Sequence, residues 1–259
     1  QCGGRFLLRI DDIDPGRVRA HFRDAIDQDL AWLGLVPDGE PLVQSQRFPA
    51  YRAALERLAG GGLAYPCFCT RTEIAAEIAA SAAAPHGPDG PVYPGTCRSL
   101  APAVAAARVT DGEPHAWRLD MGEALRRTGA LVWHDADGRA VTADPAPFGD
   151  VVLARRDAPA SYHLASTLDD AAMAVTLAVR GEDLFAATHI HRLLQALLDL
   201  PSPAYLHHRL IGDADGRRLA KRHDAASIAS LRAAGTDPHA LVTDLRTGRL
   251  PLGYRWVAP

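Results

Sequence analysis

Arg5-Phe-Leu-Leu-Arg-Ile-Asp-Asp-Ile-Asp-Pro-Gly16 is an apolar run of strand length that ends on acidic residues. Open α/β sheets place ligand-binding groups at the carboxyl ends of their strands, which is where Asp11, Asp12 and Asp14 fall. The same residues also suit a turn or a helix N-cap, with Asp14-Pro15 as its start. A helix is expected next, with Phe22, Ile26, Leu30 and Leu33 on one inward face and Gly34 as its stop. A second, from about Pro49 to Leu58, turns Tyr51, Leu55 and Leu58 inward and ends in Gly60-Gly61-Gly62. Strand followed by helix, with short connections, is the grammar of a doubly wound α/β domain.

The same grammar returns near the other end of the chain. Ser161-Tyr-His-Leu-Ala165 leads to a strand from Ala174 to Val179, then Arg180-Gly-Glu-Asp183 and a leucine-rich helix from about Thr188 to Leu200, with Pro201 beyond it. Arg180 at a strand end can grip a carboxylate in bidentate fashion, or it can pair with Glu182 or Asp183. Tyr162 can hydrogen-bond a ligand or cap the core. His189, His191, His207 and His208 have no metal-ligand spacing and read as solvent-facing or helix-packing residues. Arg209 to Asp213 is a short apolar strand, Asp213 to Gly216 a turn, and Arg217, Arg218, Lys221 and Arg222 a dense cationic run. A loop with cations at this spacing can fold over a polyphosphate, or it can be a solvated basic turn. Asp224 to Leu231 should be a short helix, and Asp237-Pro238 starts another.

The composition shifts at about residue 63. Cys67-Phe-Cys69, an Ala-rich helix and a Pro/Gly-rich loop from Pro85 to Gly95 precede Cys97. Two thiolates one residue apart, with a third returned by a loop, supply most of a tetrahedral zinc site. His86, Asp89 and Tyr93 are all near enough to be the fourth ligand, and a set of reduced buried cysteines is the alternative. Such a metal would be structural, stapling a loop with little apolar core of its own. Short strands are expected at His115–Asp120, Ala130–His134 and Asp150–Arg155, with a turn at Asp135–Gly138. Trp117 and Trp133 read as core.

The 259 residues suffice for one large domain or two smaller ones. A formal net charge of −3 gives no global nucleic-acid signal, so any RNA contact must come from local patches such as 217 to 222. No apolar run is long enough to span a membrane. Four cysteines, three of them clustered, fit a metal site in a reducing, cytoplasmic setting better than a disulfide framework.

Taken in order, Leu8-Arg-Ile-Asp-Asp-Ile-Asp14, Cys67-x-Cys69 with Tyr93-x3-Cys97, Tyr162-His-Leu-Ala165, Leu168-Asp-Asp170, Val179-Arg-Gly-Glu-Asp-Leu184, the Thr188 to Leu198 helix and Arg218-Leu-Ala-Lys-Arg222 resemble the class I glutamyl-tRNA synthetases. The resemblance is strongest to the glutamyl-Q tRNA(Asp) synthetase branch, which lacks an anticodon-binding domain. It implies a Rossmann-like class I aminoacyl-tRNA synthetase catalytic domain at residues 1–63 and 161–222, an inserted zinc-containing α+β module at 64–160, and a short helical C-terminal segment at 223–259. It implies activation of glutamate by ATP, with Mg2+, to glutamyl-adenylate without tRNA, then transfer to the queuosine base of tRNA(Asp). By motif match Lys221 and Arg218 would be catalytic, with Lys221 on ATP. Asp11, Tyr162 and Arg180 would bind glutamate, and Cys67, Cys69, Tyr93 and Cys97 would hold one zinc. A monomer is the expected state.

Several departures accompany the match. The family's opening strand and its HIGH motif are expected before Gly3 and are not in the sequence, which should leave an unpaired edge in mid-sheet. Asp11 stands where many relatives have Glu, and Arg218 and Ala220 replace the loop's usual Lys and Ser. Two alternatives are a truncated ordinary glutamyl-tRNA synthetase and a catalytically dead, zinc-stapled relative that binds tRNA or nucleotide. The short stretch after Arg222 and Tyr93-x3-Cys97 speak against the ordinary synthetase.

Overall fold

The computed structural model describes residues 3–14, 16, 20–80, 86–88, 90–219 and 227–258, and everything below refers to these. The chain opens with β1 (Arg9–Ile10), α1 (Ala20–Trp32), β2 (Leu42–Val43) and α2 (Phe48–Gly60). The middle carries β3 (Ala64–Cys67), α3 (Arg71–Ala80), β4 (His86–Gly87), β5 (Gly90–Pro91), α4 (Pro102–Thr110), β6 (Ala116–Leu119), α5 (Met121–Thr128), β7 (Val132–His134), β8 (Ala140–Thr142) and β9 (Val152–Ala154). There follow α6 (Tyr162–Ala172), β10 (Leu177–Gly181), α7 (Phe185–Leu197), β11 (Ala204–His208), β12 (Leu210–Asp213), α8 (Ile228–Ala233), α9 (Pro238–Arg246) and β13 (Tyr254–Val257).

Parallel pairing marks the two halves of the α/β frame: β1 runs parallel to β2, and β10 parallel to β11. Each pair needs a crossover, which α1 and α7 supply. The segment between them is antiparallel instead, with strand order β3-β6-β9 and a separate β7–β8 hairpin that leads into a parallel bridge from Asp135 to Tyr205 of β11.

One core joins these parts. Tyr51, Leu55 and Leu58 of α2 pack in a single buried cluster with Leu119 and Leu153 of the insertion, Leu164 of α6, and Ile190, Leu193 and Leu194 of α7. Each fully buried leucine contributes roughly 1.5–3 kcal/mol. The insertion therefore shares its hydrophobic interior with the parallel frame. Trp133 strengthens that join: it is fully buried, edge-on to Phe185 and Tyr205 at 5.3 and 5.5 Å, as its expected core role requires. Nearby, the Ala136 N–H donates to the Tyr205 carbonyl at 2.8 Å.

A buried carboxylate ties α2 to α6. Asp169 accepts from Gln44 Nε2 at 2.9 Å, Arg47 Nε at 2.7 Å and the Tyr51 hydroxyl at 2.8 Å. Burying a carboxylate is tolerable only with such a full set of donors. Ser161, Ser227 and Asp237 cap α6, α8 and α9 with their side chains.

Some local expectations change. On α1 the residues Phe22 and Ile26 are exposed, while Leu30 and, just past the helix end, Leu33 are half-buried, so the apolar face is covered only toward its last turn. The strand expected from Ala174 starts at Leu177, because Ala174 takes a left-handed φ of 51° that closes α6. The stretch after α9 is not helical: β13 adds antiparallel to β12, with Leu210 opposite Val257 and Asp213 opposite Tyr254.

Candidate functional site

The ends of β1 and β10 bring together charges from four segments. Arg9, inside an apolar strand, donates from Nε to Asp11 at 2.7 Å and from Nη1 to Asp170 at 2.5 Å. Burial works against its charge. The hydrogen bond and charge of Asp11 and the charge of Asp170 outweigh that, and hold Arg9 ionised above its ordinary range. Burial raises the Asp170 carboxyl, with the charges of Arg9 and Arg180 opposing. Asp11 keeps 43% of its side chain exposed, so it is bound to Arg9 yet open to a ligand. Asp12 instead accepts from the Ser45 backbone and hydroxyl at 2.7 and 2.6 Å and anchors the segment after β2.

Arg180, the fourth residue of β10, pairs with neither Glu182 nor Asp183. Its Nη1 meets His191 Nδ1 at 2.7 Å and its Nη2 donates to Thr188 Oγ1 at 3.1 Å. The guanidinium also lies over the Tyr205 ring at 4.6 Å. Its Nε is buried and finds no hydrogen-bond partner among the described residues. Guanidinium groups in general suit carboxylates, which can take two parallel hydrogen bonds from them. Tyr162, the first residue of α6, stacks obliquely on His191 at 5.6 Å and adds to the electrostatic surroundings of Arg9. The three expected glutamate ligands, Asp11, Tyr162 and Arg180, are thereby linked through Arg9, Asp170 and His191. From the sequence, Arg9 and Asp170 stood only within the matching motifs and His191 only as a solvent-facing or helix-packing residue; none was expected in the site. Arg9 was legible as a charge inside a strand; the contact of His191 with Arg180 depends on which face α7 turns inward.

The cationic run begins as an extension of β12. The Leu219 N–H donates to the Ile211 carbonyl at 3.0 Å, and Arg218 donates to Asp183. An open groove beside it is lined by His208, Leu210, Ile211, Arg218, Leu219 and Trp256. Lys221, with Ala220 and Arg222, lies outside the described residues.

The cysteine cluster joins Cys67 at the end of β3, Cys69 on the turn after it and Cys97 on a short helical turn at Thr96–Ser99. The donor atoms of Cys67, Cys69 and Cys97 lie within 4.8 Å of one another, and Cys69 Sγ is 3.4 Å from Cys97 Sγ. The Tyr93 hydroxyl is 3.4 Å from Cys67 Sγ and 3.6 Å from Cys69 Sγ. A tetrahedron of ligands around zinc, with Zn–S near 2.3 Å, has sulfur–sulfur edges of about 3.8 Å. Three sulfurs and one oxygen therefore fit a tetrahedral cation after small adjustments. Of the other candidates, Asp89 and the side chain of His86 lie outside the described residues. Burial pushes the Cys69 thiol up to about 11. Burial also disfavours the Cys97 thiolate, but the Phe68 N–H and the Tyr93 hydroxyl outweigh it and hold Cys97 below its ordinary value. Cations crowd the cluster: Arg118 is 3.9 Å over the Tyr93 ring, and Arg156 donates to the Phe68 carbonyl at 2.8 Å. The loop carrying Tyr93 is fixed at Gly87, where a Cβ would stand 2.3 Å from the Pro147 carbonyl oxygen.

An α/β frame with parallel strand pairs, an antiparallel sheet between them in chain order and charged groups at strand ends defines a class. Residues 1–251 match the family described as tRNA synthetases class I (E and Q), catalytic domain. The chain belongs to that family, and its fold is the α/β class I aminoacyl-tRNA synthetase catalytic fold. It is 49% identical over 248 residues to a protein of Rhodobacter capsulatus named glutamyl-Q tRNA(Asp) synthetase, covering 92% of this chain and 86% of the relative. A protein of the same name from Symbiobacterium thermophilum is 42% identical, covering 95% of this chain and 76% of the relative. The crystal structure of glutamate-tRNA synthetase from Elizabethkingia anophelis superposes with a TM-score of 0.75 at 25% identity, covering 93% of this chain. This chain spans about half of that synthetase, 54% of its length. No helix among the described residues is long and apolar enough to cross a membrane.

Proposed function

We propose that this chain activates glutamate with ATP and transfers the glutamyl group to the queuosine base of tRNA(Asp), working in the cytoplasm. One observation carries the reading. Arg180 is held by His191 and Thr188 with a buried, unpartnered Nε, beside the Arg9–Asp11–Asp170 network, in a chain that matches most of the length of relatives bearing that name. In this reading Arg180 takes a glutamate carboxylate, Asp11 faces the ammonium, and the Tyr162 hydroxyl completes the pocket.

The chemistry asks for no nucleophilic side chain. The substrate α-carboxylate attacks the α-phosphorus of ATP and pyrophosphate leaves, so the protein supplies position and positive charge. Arg218 and Lys221 provide that charge, with Mg2+ accompanying the nucleotide. Lys221 is the one lysine in this 259-residue sequence, in which every other cation of the Lys and Arg set is arginine. A site that needs a compact, mobile ammonium does not accept a planar guanidinium in its place. Cys67, Cys69, Tyr93 and Cys97 would hold one zinc, which would supply structural stapling of the loop and take no part in the reaction.

The test is glutamate-dependent ATP–pyrophosphate exchange without tRNA, followed by transfer of labelled glutamate to tRNA(Asp) with and without queuosine. Exchange, with labelling only of the queuosine-bearing tRNA, is the expected result. Labelling of a tRNA 3′ end would overturn the reading in favour of an ordinary glutamyl-tRNA synthetase.

A further inference from the structure

We infer that His191 is the positioning residue for Arg180: a neutral imidazole whose Nδ1 lone pair fixes the guanidinium in the orientation that receives glutamate. This rests on the reading that Arg180 binds the substrate carboxylate.

The argument starts from helix geometry. Thr188 and His191 are three residues apart on α7 and so share a face, while Ile190, Leu193 and Leu194 are buried in the core. That shared face presents two acceptors to one guanidinium, Thr188 Oγ1 to Nη2 and His191 Nδ1 to Nη1. The Tyr205 ring closes a third side. An arginine has only donors, so Nδ1 of His191 must accept and the ring proton must sit on Nε2. Nε2 faces His163 Nδ1 at 3.2 Å and Ser166 Oγ at 3.4 Å, both able to accept it. The order of donation is thereby fixed, from Arg180 to His191 and on to His163 or Ser166. His191 is 1% exposed, and burial, then the charge of Arg180, holds its pKa well below the ordinary histidine value. A protonated ring would lose the acceptor and set two cations 2.7 Å apart.

The neutral ring is thus a device for aim. It orients a cation without neutralising it, as a carboxylate would, and leaves the full charge for the substrate. A structural histidine that merely fills space would not need a lone pair at this atom.

The experiment compares glutamate and ATP KM values in pyrophosphate exchange for His191→Phe, His191→Asn and Arg180→Gln. His191→Phe keeps an aromatic ring but removes the acceptor, and should raise the glutamate KM on the order of 10–100-fold with ATP KM unchanged. His191→Asn, with an amide oxygen near the Nδ1 position, should recover much of that loss. If Arg180→Gln raises the glutamate KM and His191→Phe does not, the positioning role is overturned while the site reading stands. If Arg180→Gln itself leaves the glutamate KM unchanged, the reading of Arg180 fails first. A second measurement needs no variant: 15N shifts of His191 in the unaltered chain should show Nδ1 unprotonated and Nε2 protonated. The opposite tautomer would overturn the inference.

Discussion

Arg218 donates from Nη2 to Asp183 Oδ2 across 2.6 Å, which ties the start of the cationic run to the turn directly after Arg180. Arg218 is 55% exposed, and an exposed ion pair of this kind is worth at most about 1 kcal/mol. In the proposed site, Asp183 would compete only weakly with a phosphate for the same guanidinium. Asp183→Asn should lower the KM for ATP by up to about fivefold, as read from steady-state exchange. A higher KM would mean that the pair presents Arg218 to the nucleotide instead of competing for it.

Lys221 offers a chemical handle because it is the sequence's one lysine. An amine-reactive acylating reagent should modify its ε-amine, and ATP with Mg2+ should slow that modification at least severalfold. Peptide mass spectrometry separates this site from the chain's α-amino group. Equal rates with and without nucleotide would remove Lys221 from the phosphate site.

The cysteine cluster makes a prediction about metal content. Cys97→Ala removes a sulfur that accepts from the Phe68 N–H, and should abolish stoichiometric zinc and make residues 64–100 protease-sensitive. Tyr93→Phe keeps all three sulfurs but loses the oxygen ligand, and should release zinc to a chelator faster than the parent chain. Unchanged release would mean that Tyr93 orders the turn through its contact with the Cys97 N–H, at 2.9 Å, and is not a ligand.

The Asp169 hub should dominate the stability of the α2–α6 contact. Asp169→Ala leaves Arg47, Gln44 and Tyr51 without their shared acceptor. Removing one side of a buried ion pair costs about 3–5 kcal/mol, a large share of a domain's total. Urea unfolding would measure it, and a loss under about 1 kcal/mol would show that water replaces the carboxylate.

Two histidines near Arg180 should contribute to the acid limb of stability. Burial, followed by the charge of Arg180, lowers His207 from the ordinary 6.5 to about 4, and His191 shifts in the same direction. As pH falls, the unfolded chain therefore takes up protons before the folded one does. The contribution of His207 should be whole above pH 6.5, erode between 6.5 and 4, and be lost below that. His207→Gln should flatten the slope in that window, by on the order of 1–2 kcal/mol after allowing for solvent screening. A slope unchanged by the variant would assign it to carboxylates alone.

The sequence was most legible where a local pattern and a packing demand coincide. Tyr51, Leu55 and Leu58 on α2, and Trp133 in the insertion, are buried as their spacing and size require. The Cys67-x-Cys69 turn with Cys97 returned by a loop was readable because ligand spacing is short-range. On α1, periodicity alone misplaced Phe22 and Ile26, since an apolar stripe does not say how much of it finds a neighbour. β13 was invisible because its pairing with β12 is a long-range hydrogen-bond ladder with little local signature. Arg9, Asp170 and His191 were missed as site residues for a related reason: their roles lie in contacts spanning 11 to 161 residues of chain.

The β12–β13 ladder also sets a schedule for the growing protein. Leu210 leaves the ribosome 47 residues ahead of Val257, its partner in that ladder. At about 5–20 residues per second, that is roughly 2–9 s of synthesis. During that interval the strand leading into the cationic run has a bare hydrogen-bonding edge, exposed to other nascent chains and to RNA. The strand leading into the cationic run is therefore completed only when β13 docks, and the period before that is when a chaperone that covers bare strand edges would matter most.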